Sequence, residues 1–185
     1  QIIQSFPAAV QTMLDPADCG PACIALSQDI QGQTFDYPEE FFKERVHAIR
    51  RPRPDEFQIK EAAEKIKSSK NPIIISGGGV FYSDAMEELS QFAIKHNIPV
   101  TQTVMGYSTM KRDHSHYAGQ IGGLGGKNTN TLAKETDLAI AVGTKLADFT
   151  TGSWANFENE NFKLVSVNVS RYDANKHLAQ AVVGD

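Results

Sequence analysis

The sequence holds only two cysteines and one tryptophan, and no apolar run in it approaches the roughly 20 residues that a membrane span requires. Its opening, Gln1-Ile2-Ile3-Gln4, has neither a basic segment nor a cleavage site, so no secretory leader is read. A cytoplasmic protein is expected. The start without methionine points to a processed chain or a piece of a longer one. Neither sign of charge dominates: 22 acidic and 18 basic residues are mixed along the chain for a net charge of -4. That excludes the electrostatic footprint of a nucleic-acid or anionic-membrane partner.

The two cysteines, Cys19 and Cys23, sit in C-G-P-A-C. A redox pair ordinarily has two intervening residues, and a zinc site needs two more ligands at matching spacing. Neither is present. Two buried, reduced thiols beside a strand are expected, with Pro21 resisting the tight turn of a bridge. Also missing are a P-loop lysine, a Ser/His/Asp or Cys/His set and a carboxylate pair, so no catalytic centre and no metal site is read. His114 and His116 read as surface histidines, and Asp148 reads as the cap of a short helix or turn.

What is present is a helix-strand alternation. Residues 1–30 hold one helical stretch, apolar at Phe6, Ala9, Val10, Met13 and Leu14, then a strand-like run from Ala22 to Leu26. Two such elements are too few to fold alone and are expected to be the end of another domain. Residues 31–54, with scattered Gly, Pro, aromatic and basic residues, read as a linker lying against a domain surface. Residues 55–185 then give a helix over Asp55–Ser69 and a strand over Pro72–Ile75. A helix opened by Asp84-x-x-Glu87 follows, then a strand over Ile98–Thr103, a helix over Asn128–Thr136, and strands over Leu138–Val142 and Phe162–Val169. Continuous apolar strands joined by helices predict an α/β, Rossmann-like parallel sheet covered by helices on both faces.

In such a sheet, ligands bind where loops leave the carboxyl ends of the strands, and glycine clusters follow three of the strands: Gly77-Gly78-Gly79, Met105-Gly106 and Gly143-Thr144. A fourth, Gly122 to Lys127, precedes a helix. These turns either cradle phosphate or let helices pack closely on the sheet. The second strand ends in Thr101-Gln102-Thr103, without the acid that would hold a nicotinamide-nucleotide ribose.

N-P-I-I-I-S-G-G-G-V, A-M-E-E-L-S-Q-F-A-I-K-H-N-I-P-V-T-Q-T-V-M-G, H-Y-A-G-Q-I-G, T-D-L-A-I-A-V-G-T-K-L-A-D-F, L-V-S-V-N-V and V-V-G-D occur in that order. Together they resemble the central domain of thiamine-diphosphate enzymes such as acetolactate synthase and pyruvate oxidase, over residues 55–185. C-G-P-A-C-I-A-L-S-Q-D-I-Q-G is similar to the last strand of their pyrimidine-binding domain. A closer likeness runs through D-Y-P-E-E-F-F-K-E-R-V-H-A-I-R-R, D-F-T-T-G-S-W-A-N-F and N-V-S-R-Y-D-A-N-K-H to the branch that opens a cyclic dione in myo-inositol breakdown.

The resemblance implies a DHS-like NAD/FAD-binding fold serving a longer enzyme whose thiamine diphosphate and Mg2+ perform the carbon-carbon bond cleavage. It implies contact with other domains of the same chain, and a homodimer or homotetramer. The glutamate and the G-D-G motif that hold this cofactor are missing here, so the 185 residues alone are expected to be inactive and cofactor-free. In FAD-binding members, the positions matching Gly77, Gly78, Gly79, Val104, Met105, Gly106, Gly122 and Gly143 line a nucleotide pocket. Lys145 and Asn168 stand where those members have arginine and aspartate, which argues against FAD. The alternatives are an FAD- or ADP-binding central domain, a free-standing nucleotide-binding module and a Rossmann-type oxidoreductase.

Overall fold

A computed structural model describes residues 1–185, which form two compact units, 1–50 and 51–185. The stretch read as a linker is thus divided, with residues 31–50 in the first unit and 51–54 in the second.

The first unit contains α1 (Ile2–Leu14), α2 (Gln28–Gln31) and a 3-10 turn at Glu39–Phe42. None of its 50 residues is buried. Its cohesion comes from aromatic contacts such as the stacked rings of Tyr37 and Phe41, 5.6 Å apart. Two expectations fail here for one reason. Ala22–Leu26 forms no strand, because the unit offers no neighbouring strand to complete a ladder. Cys19 and Cys23 are exposed free thiols, because nothing in the unit covers them.

The second unit carries the sheet. Asp55 accepts the N–H of Phe57 at 2.8 Å and so starts α3 (Glu56–Ser68). There follow β1 (Pro72–Ser76), α4 (Gly78–Tyr82), α5 (Met86–His96), β2 (Val100–Gln102) and β3 (Tyr117–Gln120). The rest are α6 (Lys127–Glu135), β4 (Leu138–Val142), α7 (Asp148–Thr151), β5 (Lys163–Asn168), α8 (Arg171–Ala174) and β6 (Gln180–Val183). All neighbouring strands pair in parallel, in the order β3-β2-β1-β4-β5-β6. The direction of winding reverses between β1 and β4, and the crevice at that reversal is where this topology places a ligand.

Alternation along the strands divides the core. Ile74, Ile140 and Val165 face Ala62 of α3 and Leu89 and Ala93 of α5, while Ile73, Ile75, Ala139 and Ala141 face Ala133 of α6 and the loop residue Leu146. Helices therefore cover both faces, as the apolar strands predicted. The unit closes on itself. Arg51 Nη1 meets Asp185 Oδ1 at 2.7 Å, and the N–H of Asp185 donates to Pro52 O at 2.9 Å.

Besides shifts of one or two residues at the ends of elements, the structure differs from the sequence reading at several points. α5 begins at Met86 behind Ala85, and Asp84 makes no cap; its φ of 56° lets it end the turn after α4 instead. Asp148 lies inside the first turn of α7, whose cap position is Ala147. Two edge strands, β3 and β6, join the sheet although neither has an unbroken apolar run.

Candidate functional site

The crevice between β1 and β4 is filled by backbone. Gly77 N–H donates to Val142 O at 2.8 Å, and Gly79 N–H donates to Gly143 O at 2.9 Å. Gly143 has φ +61°, and a Cβ there would lie 2.6 Å from Gly79 Cα. The glycine turns after β1 and β4 thus pack directly on each other, and two of the N–H groups that could have met a phosphate bind carbonyls instead. Gly106 is equally confined: its absent Cβ would sit 2.1 Å from Ser76 O.

Gly78, Val104 and Met105 stand on the rim, with Val104 and Met105 largely exposed. Beside them opens a shallow cavity of about 260 Å3 lined by Gly78, Phe81, Tyr82, Met105, Tyr107 and Ser108. Arg112 lies outside that lining and packs on Tyr107, its guanidinium 5.4 Å from the centre of the ring and its Nη2 donating to the Tyr107 hydroxyl at 3.1 Å.

Gly122 is drawn elsewhere. It follows β3, so all four glycine clusters lie at carboxyl ends. Its φ is +101°, and a Cβ would meet Phe149 O of α7 at 2.4 Å. Asn130 of α6 fixes it from below, accepting its N–H and donating to its carbonyl, both at 3.1 Å. The structure therefore brings Gly77, Gly78, Gly79, Met105, Gly106 and Gly143 together at β1, β2 and β4, and places Gly122 against α7.

At the end of β2, Gln102 is 1% exposed and turned inward, donating to Met110 O at 3.0 Å and to Thr109 Oγ1 at 3.3 Å. Thr109 Oγ1 and Ser76 Oγ are 2.6 Å apart. This buried polar network fixes the loop after β2, and it occupies the position from which an acid would reach a ribose. The sequence carried a signal for it, three polar residues ending an otherwise apolar strand.

Residues 59–185 match the family model described as thiamine pyrophosphate enzyme, central domain. The chain belongs to that family. All 185 residues of this central-domain chain align at 44% identity with the 3D-(3,5/4)-trihydroxycyclohexane-1,2-dione hydrolase of Clostridium perfringens (strain 13 / Type A), covering 29% of that relative. They align at 42% with the 3D-(3,5/4)-trihydroxycyclohexane-1,2-dione hydrolase of Bacillus thuringiensis (strain Al Hakam), again covering 29% of its length. The chain thus spans about three tenths of the curated relatives it matches. A solved structure from Mycobacterium smegmatis, assigned as a thiamin diphosphate-dependent enzyme, superposes with TM-score 0.59 at 21% identity. That superposition covers 76% of this chain and 27% of the other, and it shares the fold.

The central domain's own residues do not fit a Mg2+-diphosphate group. No three His, Cys, Asp or Glu side chains converge to hold a metal, and no cation lines the cavity. Lys145 is exposed, its carbonyl accepting Lys176 Nζ at 3.0 Å. Asn168 is buried, its amide donating to Thr144 O at 3.1 Å, a bond that an aspartate could not make.

Proposed function

We propose that this chain is the central, structural domain of a thiamine-diphosphate-dependent hydrolase that opens the ring of 3D-(3,5/4)-trihydroxycyclohexane-1,2-dione in myo-inositol catabolism. The observation that carries this reading is the identity of 42–44% sustained over all 185 residues with relatives bearing that activity in their names. The bound thiamine diphosphate supplies the carbanion chemistry, with Mg2+ as its counter-ion. The groups that hold both lie in the remaining length of such relatives. This chain's residues contribute a rigid parallel sheet and the surfaces on which neighbouring domains pack.

Apolar exposure supports that role. Phe81, Tyr82, Val104, Met105, Tyr107, Leu124, Phe149 and Tyr172 are all exposed, and each lies in a segment that follows the carboxyl end of a strand. A rim of this kind is suited to being covered by other parts of a larger, homodimeric or homotetrameric cytoplasmic enzyme. An FAD- or ADP-binding role finds less support, because the crevice glycines bind each other and because of what stands at 145 and 168.

The test is a chimera in which this chain replaces the aligned segment of the Clostridium perfringens relative. Ring opening of the dione at a rate within about tenfold of the parent supports the reading. A chimera that folds and binds thiamine diphosphate yet fails to open the dione overturns it. So does ring opening by the 185 residues alone. Calorimetric titration of the chain with FAD, ADP and NAD is expected to give no micromolar binding.

A further inference from the structure

The run Asp113-His114-Ser115-His116 lies between β2 and β3 and takes no part in the site above. All four ring nitrogens of its histidines are engaged within the chain. Nδ1 of His114 accepts the backbone N–H of His116 at 3.1 Å, and its Nε2 meets Ser90 Oγ of α5 at 3.0 Å. Nδ1 of His116 meets Ser115 Oγ at 2.9 Å, and its Nε2 meets Asn97 Oδ1 at 3.0 Å. Asn97 is the left-handed residue that ends α5. A metal would have to dismantle these bonds.

The same loop starts two strands. Val100 N–H donates to His116 O at 2.8 Å and Tyr117 N–H donates to His114 O at 3.0 Å, which holds the entry of β2 and of the edge strand β3.

A second proton affects the two rings differently. His116 donates from Nε2 to the Asn97 carbonyl, and its Nδ1 faces a hydroxyl, which can turn from donor to acceptor. Protonation there costs no bond. His114 Nδ1 faces a backbone N–H, which only donates, so a proton on it sets donor against donor.

Neither ring is in an ion pair with a carboxylate. The charged or titratable side chains on the packed elements are Glu87, Glu88, Lys95 and His96 of α5, Tyr107, Lys111, Arg112 and Asp113 of the loop, and Tyr117 of β3. Of these, Glu87 is held by Gln91, His96 stacks on Phe92, and Arg112 covers Tyr107. The two rings are 5.7 Å apart, so charge on both adds repulsion.

We infer that His114 is a proton-operated latch on the edge of the sheet. Neutral, it ties the start of β3 to β2 and α5. Protonated, it lets that edge loosen, and with it the Gly122 turn at the far end of β3. Histidine is the side chain suited to such a change between about pH 5 and 8.

Amide hydrogen exchange on the whole 185-residue chain, corrected for intrinsic rates, tests this at about pH 7.5 and about pH 5. The amides of Val100, Tyr117 and Ile121 are expected to lose about five- to tenfold in protection in acid relative to Ile74 and Ile140 at the sheet centre. H114N keeps an acceptor oxygen without a titratable ring, so its edge should not respond to pH. S90A and H116N should keep the response. An unresponsive wild-type edge, an H114N edge that responds like wild type, or a response lost only in H116N overturns the latch. If H114N does not fold, the ring-nitrogen titration of His114 by NMR must track the exchange change in the wild type, and a mismatch of midpoints overturns it too.

Discussion

The side-chain amide of Asn168 donates to the carbonyl of Thr144 at 3.1 Å while its Oδ1 accepts the N–H of Ser170 at 2.9 Å, so one side chain joins the end of β5 to the turn after β4 and to the start of α8. Both partners are backbone, and Asn168 is buried. An aspartate keeps the acceptor but loses the donor and places a charge beside a carbonyl oxygen.

N168D is therefore expected to lose about 1–3 kcal/mol of stability at pH 7. Urea unfolding measures this, and an unchanged midpoint with unchanged slope would show that the amide's donor is dispensable. Restoring an aspartate at this position should not create FAD affinity, because the crevice glycines still bind one another.

G143A strains a backbone with φ +61° and drives a methyl group to 2.6 Å from Gly79 Cα. The left-handed penalty and the overpacking together should cost about 2–4 kcal/mol. G126A is the matching control: its new methyl would find nothing nearer than Thr129 Oγ1 at 3.8 Å, and its stability should stay within about 1 kcal/mol of wild type. Equal thermal unfolding of the two variants would refute the crevice packing described above.

Burial alone would push the Asp137 carboxyl up. Against it stand the N–H of Lys70 at 2.8 Å, the Ser69 hydroxyl and the N–H of Asn71 at 3.0 Å, and together they hold it below the ordinary carboxylate value. A carboxyl depressed in the folded state contributes its stability fully above the unfolded value, about pH 4, and loses it as the pH falls through the folded value. D137N should thus be less stable than wild type at pH 7, by about 1 kcal/mol or less because solvent screens the carboxyl, with the gap closing as the pH falls below about 4. A gap of constant size across that range in urea titrations would count against the bonded carboxylate.

The helix-strand alternation of residues 55–185 was legible because Ile73, Ile74 and Ile75, or Leu138 to Val142, are apolar on every residue, as strands covered on both faces must be. The edge strands were not. Tyr117–Gln120 is half-buried throughout and includes Gly119, so its pairing is decided by the neighbour it meets. Asp84 misled for a related reason, since a capping sequence says nothing about whether the preceding turn leaves the residue at φ 56°. For the site, the glycine turns could be placed from sequence, but whether Gly77 N–H meets a phosphate or Val142 O depends on residues 65 positions away. In residues 1–50 the apolar pattern was plain and the cover for it was not, which is why the strand and the buried thiols expected there did not appear.

The ion pair of Arg51 with Asp185, and the bond from Asp185 to Pro52, hold residues 51–52 and residue 185 of the second unit at one spot. Topologically the unit is a plug with both leads on the same side. Such a piece can be spliced into a host loop, or lifted out, without stretching the chain on either flank. Tension applied through residues 51 and 185 would load that ion pair first and then the edge strand β6, which ends two residues before Asp185 and is held by β5 alone.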